Sequence, residues 1–128
     1  MRSKSYVINV PPISWARAGR NAGRYFDTQA LEKLSFGLHL ANQHNEEPLF
    51  GNAIDVQITF FMPMHKSLKK REKSLYHSAS PDIDNLCKFL LDSLKGVVIV
   101  DDRKICSLSA KKVYDKVPRT ELIITEVE

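Results

Sequence analysis

Ile54, Val56, Ile58, Phe60 and Met62 alternate with Asp55, Gln57, Thr59 and Phe61 until Pro63 ends the run. A period of two sustained over this length belongs to a strand with one face buried and the other wet. Such a strand needs a hydrogen-bonded neighbour, most simply an antiparallel one, and an apolar layer against its buried face. Two segments with a helical period can supply that layer. Leu31, Leu34, Leu38 and Ala41 fall on one helical face, behind Asp27 or Thr28, whose side-chain oxygen can accept an orphan N–H of the first turn. Gly37 weakens that helix by up to about 1 kcal/mol relative to Ala, and it should end near Asn45, before Glu46-Glu47-Pro48. A second face runs Ile83, Leu86, Cys87, Leu90, Leu94 and closes at Lys95-Gly96.

Three further strands complete the list. Ser5–Val10 is a short one stopped by Pro11-Pro12, and Cys106, Leu108, Ala110 and Tyr114 mark a longer one. Glu121–Val127 is the last, after a turn at Pro118. The order β-α-β-α-β-β predicts a small α+β domain in which two helices pack on one face of a mixed sheet. The chain's 128 residues suit a single domain spanning 1–128 with one core.

Several classes drop out. The longest apolar run, Val97 to Val100, is too short to span a membrane, and the basic N-terminus lacks the apolar stretch of a signal peptide. Cys87 and Cys106 are too few for a disulfide framework or a zinc quartet, and both read as small core residues on buried faces. A reduced, cytoplasmic protein is the expectation. His39, His44, His65 and His77 lack tight ligand spacing, and there is no glycine-rich phosphate loop or nucleophile elbow.

The net charge of +4 is unevenly spread. Residues 1–26 carry Arg2, Lys4, Arg17, Arg20 and Arg24 and no acid, while residues 64–80 carry Lys66, Lys69, Lys70, Arg71 and Lys73 against Glu72 alone. Most of these charges fall in two long loops, residues 11–26 and 64–80, and loops of that length are unusual unless they function or are disordered. Basic loops on a neutral scaffold suit contact with a phosphate backbone, though a solvated surface accounts for them equally well. Trp15, Tyr25 and Phe26 in the first loop either stack on unpaired bases or anchor it to the core.

The acids are more telling. Asp82 and Asp84 follow Pro81, which favours an extended approach to the second helix. If Asp84 stands near the N-cap of that helix, Asp82-Ile83-Asp84 lies in extended backbone and both carboxylates share a side. Lys88, four residues on, lies on the same helical face. Asp101-Asp102 arrives after the helix, and adjacent residues on an extended segment face opposite ways, so one of this pair can join the first two acids. Three converging carboxylates would make an oxygen-rich site for Mg²⁺ or Mn²⁺, which polarises a phosphodiester and activates water while Lys88 neutralises developing charge. Taken singly, each residue has a plainer reading as a cap, a turn residue or a solvated lysine. Their clustering around one helix is what favours chemistry.

The run Pro81-Asp82-Ile83-Asp84-Asn85-Leu86-x-Lys88, followed by Gly96-Val-Val-Ile-Val-Asp101-Asp102, resembles the RusA family of crossover-junction endodeoxyribonucleases, the Holliday junction resolvases of bacteria and their phages. The resemblance extends to the early Pro-Pro and to a Lys-x-x-Tyr-x-x-x-Pro-Arg tail, Lys111 to Arg119. It implies a RusA-like fold and a bacterial or prophage-encoded, Mg²⁺-dependent homodimer that acts on branched DNA. The family's aspartates match Asp82, Asp84 and Asp102, and its helix lysine matches Lys88. The longer loop of residues 64–80 departs from the family pattern, so the DNA-contacting set is the broad one: Arg17, Arg20, Arg24, Lys69, Lys70, Arg71 and Lys73. The rival expectations are a non-catalytic nucleic-acid-binding module and a structural protein that meets an acidic partner.

Overall fold

The alternating run is realised as a strand of ten residues, β4 (Ile54–Pro63), with Ile54, Val56, Ile58, Phe60 and Met62 all buried. The structure is a computed structural model that describes residues 1–17, 19–21, 24–64 and 75–127, with backbone alone for 19–21 and 24–26. Three strands share its sheet: β1 (Ser3–Ile8), β5 (Ile105–Asp115) and β6 (Arg119–Glu126), in the order β1-β6-β4-β5. β6 runs antiparallel to both β1 and β4, whereas β4 and β5 are parallel. The antiparallel neighbour that the alternation called for is therefore β6, and β5 lies on the other side. Although β5 and β6 are consecutive, they do not pair: the connection steps across β4, and Arg119 clasps it by ion pairs to Asp115 (3.3 Å) and Glu121 (2.6 Å).

Both helices, α1 (Ala30–His44) and α2 (Ile83–Leu94), cover the same sheet face. Phe36 and Leu40 of α1 and Leu86, Phe89, Leu90 and Leu94 of α2 join Tyr6, Ile8, Val56, Phe60, Leu122 and Ile124 in one buried cluster. Phe36 meets Phe89 edge to face, with ring centroids 5.0 Å apart. This is the expected α+β arrangement. No helix among the described residues is long and apolar enough to cross a membrane.

Four expectations need correction. Residues 11–26 are not wholly irregular: Gly19–Asn21 (β2) and Arg24–Phe26 (β3) pair as a short antiparallel hairpin. Neither Asp27 nor Thr28 caps α1; the N-cap is Gln29, whose own N–H donates to Asp27 Oδ1 at 2.9 Å. The leucine face of α1 points outward, with Leu31, Leu34 and Leu38 80%, 59% and 63% exposed. The buried stripe is Phe36, Leu40 and His44, because Phe36 brings the larger apolar surface and His44 is satisfied where it sits. Its Nδ1 lies 2.6 Å from the Tyr6 hydroxyl and its Nε2 3.1 Å from the Pro48 carbonyl. Cys106, finally, is exposed, since β5 is an edge strand whose first residues run past the helical cover, whereas Cys87 is buried as expected.

Burial pushes the Tyr6 hydroxyl up to about 12. An unfolded tyrosine ionises near pH 10, so above that pH the unfolded chain sheds a proton that the folded chain keeps. Stability should therefore fall as pH rises from about 10 toward 12, with no contribution from this group below 10. Denaturant midpoints at pH 9 and pH 11 check this, and Tyr6→Phe should lose less between the two than the parent does.

Candidate active site

The edge of β5 steers the chain into α2. Leu75 accepts the Tyr114 N–H at 2.8 Å, and His77 donates its N–H to the Lys112 carbonyl at 3.0 Å. The Lys112 ammonium then donates to the carbonyls of Ala79 and Pro81, both at 2.7 Å. Asp82 follows as the N-cap of α2, extended at φ −68° and ψ 142°, and its carbonyl accepts the Leu86 N–H. The helix thus starts two residues before the start that would have aligned the two acids. Ile83 and Asp84 are already helical, so Asp82 and Asp84 are not held side by side by extended backbone. Both are exposed, and Asp84 Oδ1 accepts the Asn85 N–H at 2.9 Å.

After α2 the chain turns at Gly96, whose φ of +74° suits a residue without Cβ, and returns to the sheet through Asp101 and a single 3-10 turn, Asp102–Lys104. The two adjacent acids part here. Asp101 caps the turn, with Oδ1 accepting the Asp102 N–H at 2.8 Å and Oδ2 paired with Arg103. The Arg103 guanidinium, helped by that N–H, holds the Asp101 carboxyl below the usual carboxylate range. Asp102 faces the other way, into a cleft of about 390 Å³ beside α2.

That cleft collects one face of α2. Asp84, Lys88 and Asp92 follow at intervals of four, joined by Cys87, Leu91, Asp102 and Leu108 of β5. Asp92 lies 3.8 Å from Lys33 Nζ and Asp102 lies 3.8 Å from Lys95 Nζ. Asp84 makes no ion pair with another described residue. The ammonium of Lys88 stands 3.7 Å from the centre of the Trp15 ring, and the Trp15 backbone N–H donates to Asn85 at 2.9 Å. Burial, and then the Asp84 carboxylate, push the Cys87 thiol up, which leaves it a packing residue rather than a nucleophile. A second groove, on the uncovered sheet face, is lined by Glu121 as its one acid and holds no carboxylate pair.

A family model described as endodeoxyribonuclease RusA matches residues 10–125. The chain belongs to the RusA family. It is 30% identical over 106 residues to the crossover junction endodeoxyribonuclease rusA of Lactococcus phage r1t, covering 81% of this chain and 79% of that protein. It is 32% identical over 96 residues to the uncharacterized protein YqaN of Bacillus subtilis (strain 168), covering 69% of this chain and 68% of that one.

Of the residues singled out in this RusA chain, the structure brings Asp84, Asp102 and Lys88 to one cleft. Asp82 stands at its helix-cap position and does not line that cleft, and Asp101 is committed to its turn. Among the described residues no three His, Cys, Asp or Glu side chains cluster closely enough to hold a metal ion, so the three-carboxylate set is not assembled. Asp84, exposed, and Asp102, half-buried, leave two carboxylates lining the cleft. In number and type these suit Mg²⁺, which takes one or two protein carboxylates and fills its remaining positions with water and phosphate oxygens. Arg17 is exposed at the chain's approach to the hairpin. The side chains of Arg20 and Arg24, and Lys69, Lys70, Arg71 and Lys73 entirely, lie outside the described residues. Sequence reasoning passed over Asp92, although its spacing of eight from Asp84 puts it on the same helical face. Lys112, which holds the approach to Asp82, and Lys95 carried no local signal.

Proposed function

We propose that this RusA-family chain is a Mg²⁺-dependent endonuclease that resolves four-way DNA junctions by paired, symmetric cuts. What supports the reading most is that Asp84, Asp102 and Lys88, three of the four residues matching the family's motif, line one cleft. Asp84 and Asp102 are the residues that would hold the cation, while Asp82 stands at the helix N-terminus outside the cleft; Mn²⁺ suits the same donors. A bound cation supplies polarisation of the scissile phosphodiester and a more acidic attacking water. Lys88, at the rim of the cleft and exposed, binds a phosphate oxygen and offsets the charge that builds there in the transition state. Arg17, Arg20, Arg24 and the lysines and arginine of residues 69–73 hold the phosphate backbone, which fixes position without reading much sequence. The chain acts as a homodimer, since one small site cuts one strand and a two-fold pair matches the symmetry of the junction. The phage and bacterial relatives are consistent with a bacterial or prophage-encoded protein.

The test is a labelled four-way junction incubated with the protein across a range of Mg²⁺ or Mn²⁺ concentrations, and with chelator. Paired nicks at symmetric positions are expected with metal and none with chelator. Junction binding without nicking at any metal concentration would overturn the reading in favour of a binding module. Junction affinity should also fall steeply with salt; a flat dependence would remove the basic residues from the interface.

A further inference from the structure

We propose that Trp15 is a positioning residue for Lys88: its indole face holds the ammonium away from the surrounding carboxylates and keeps it available to substrate phosphate. The inference rests on the role given to Lys88 in the proposed function. It starts from an ion pair that is not formed. Asp84 lies four residues before Lys88 and Asp92 four after it, and both line its cleft together with Asp102. An acid four residues N-terminal to a lysine is the favourable orientation for a helical ion pair. Yet none of the ion pairs among the described residues involves Lys88. Lys33 and Lys95 approach Asp92 and Asp102 instead.

The ammonium sits over Trp15, 3.7 Å from the ring centre, where the negative face of the indole attracts it. Trp15 is itself fixed. Its N–H donates to the Asn85 carbonyl, one residue past Asp84, and its ring packs against the buried core. The following N–H, of Ala16, donates to Gln29 Oε1 at 2.8 Å, and Gln29 Nε2 donates to Ser14 at 2.8 Å, so both neighbours of Trp15 are tied to the start of α1. The first loop thus delivers a rigid aromatic surface to the one lysine whose partner must be exchangeable. An indole competes weakly enough to release the ammonium to a substrate phosphate oxygen, whereas a carboxylate would both hold it and have its own charge offset and so less available for a cation.

The test reads the contact and the chemistry separately. In protein carrying ¹³C-labelled lysine, the ε-methylene of Lys88, assigned through Lys88→Arg, should resonate upfield of the other lysines because of the indole ring current. Trp15→Leu should abolish that displacement and Trp15→Phe should keep part of it. With a four-way junction under single-turnover conditions, Trp15→Leu should slow cleavage about 5- to 30-fold. Junction affinity should stay within about twofold, the Mg²⁺ needed for half-maximal rate should rise, and Trp15→Phe should recover much of the rate. An undisplaced Lys88 resonance in the parent protein overturns the proposal without any need for the Trp15 variants to fold. So does a folded Trp15→Leu protein that loses the displacement but cuts at the parental rate. A Lys88→Ala protein that cuts normally strikes the role of the lysine itself, and is thereby told apart from failure of the indole contact.

Discussion

Replacing Asp84 or Asp102 with asparagine should reduce junction cleavage about a thousand-fold or more while leaving junction binding intact or tighter. Asparagine keeps the size of the side chain and one oxygen but removes the negative charge that would hold a divalent cation in the cleft. The same loss lowers repulsion toward the phosphate backbone, so binding moves opposite to catalysis. Asp101→Asn should behave differently. Its carboxylate is spent on the Asp102 N–H and on Arg103, and an asparagine oxygen can still cap the turn. Cleavage by that variant should stay within about tenfold of the parent, a gap large enough to separate two adjacent acids. Asp82→Asn measures how far the family's pattern extends here, because Asp82 does not line the cleft. A loss as deep as that of Asp84→Asn would add it to the metal site. Parental cleavage by Asp84→Asn, measured in single turnover with saturating metal, would defeat the assignment.

The second large effect concerns stability. Phe36→Ala and Phe89→Ala should each cost about 3–5 kcal/mol, since each empties a fully buried aromatic volume and removes the edge-to-face contact between α1 and α2. Leu34→Ala, by contrast, should change stability by no more than about 0.5 kcal/mol, because Leu34 is 59% exposed. Urea unfolding of the three variants gives the comparison. A Leu34→Ala loss as large as that of Phe36→Ala would mean that the leucine face of α1 is covered in solution. Because Phe89 follows Lys88 directly, its truncation also tests whether cleavage depends on how firmly α2 is seated.

How legible the fold was depends on which signal each element carried. β4 was plain because its buried and wet positions alternate over its full length, and α2 because its apolar face is also its buried face. α1 misled for a definite reason. It carries leucines on one side and Phe36, Leu40 and His44 on another, and only the presence of Tyr6 and Pro48 makes a buried histidine tolerable. Cys106 misled similarly, since alternation in an edge strand does not reveal where the helices above it stop. The hairpin Gly19–Asn21 with Arg24–Phe26 was hidden by the brevity of its strands. In the site, the acids and Lys88 were evident from type and spacing. Their division of labour was not, because a one-residue choice at Asp101-Asp102 is settled by a turn that the flanking residues do not announce.

By itself, then, the amino-acid order determined a mixed sheet with two helices on one face, the family, and a short roster of acids with one lysine, because periodicity and local motif are properties of neighbours in the chain. Only the tertiary structure decided that Asp102 rather than Asp101 enters the cleft, that Asp92 joins it, and that Trp15 rather than a carboxylate receives Lys88. Those outcomes depend on groups far apart in sequence competing for the same few ångströms. Distance, burial and hydrogen-bond geometry rank such competitors, and none of the three can be read along a chain.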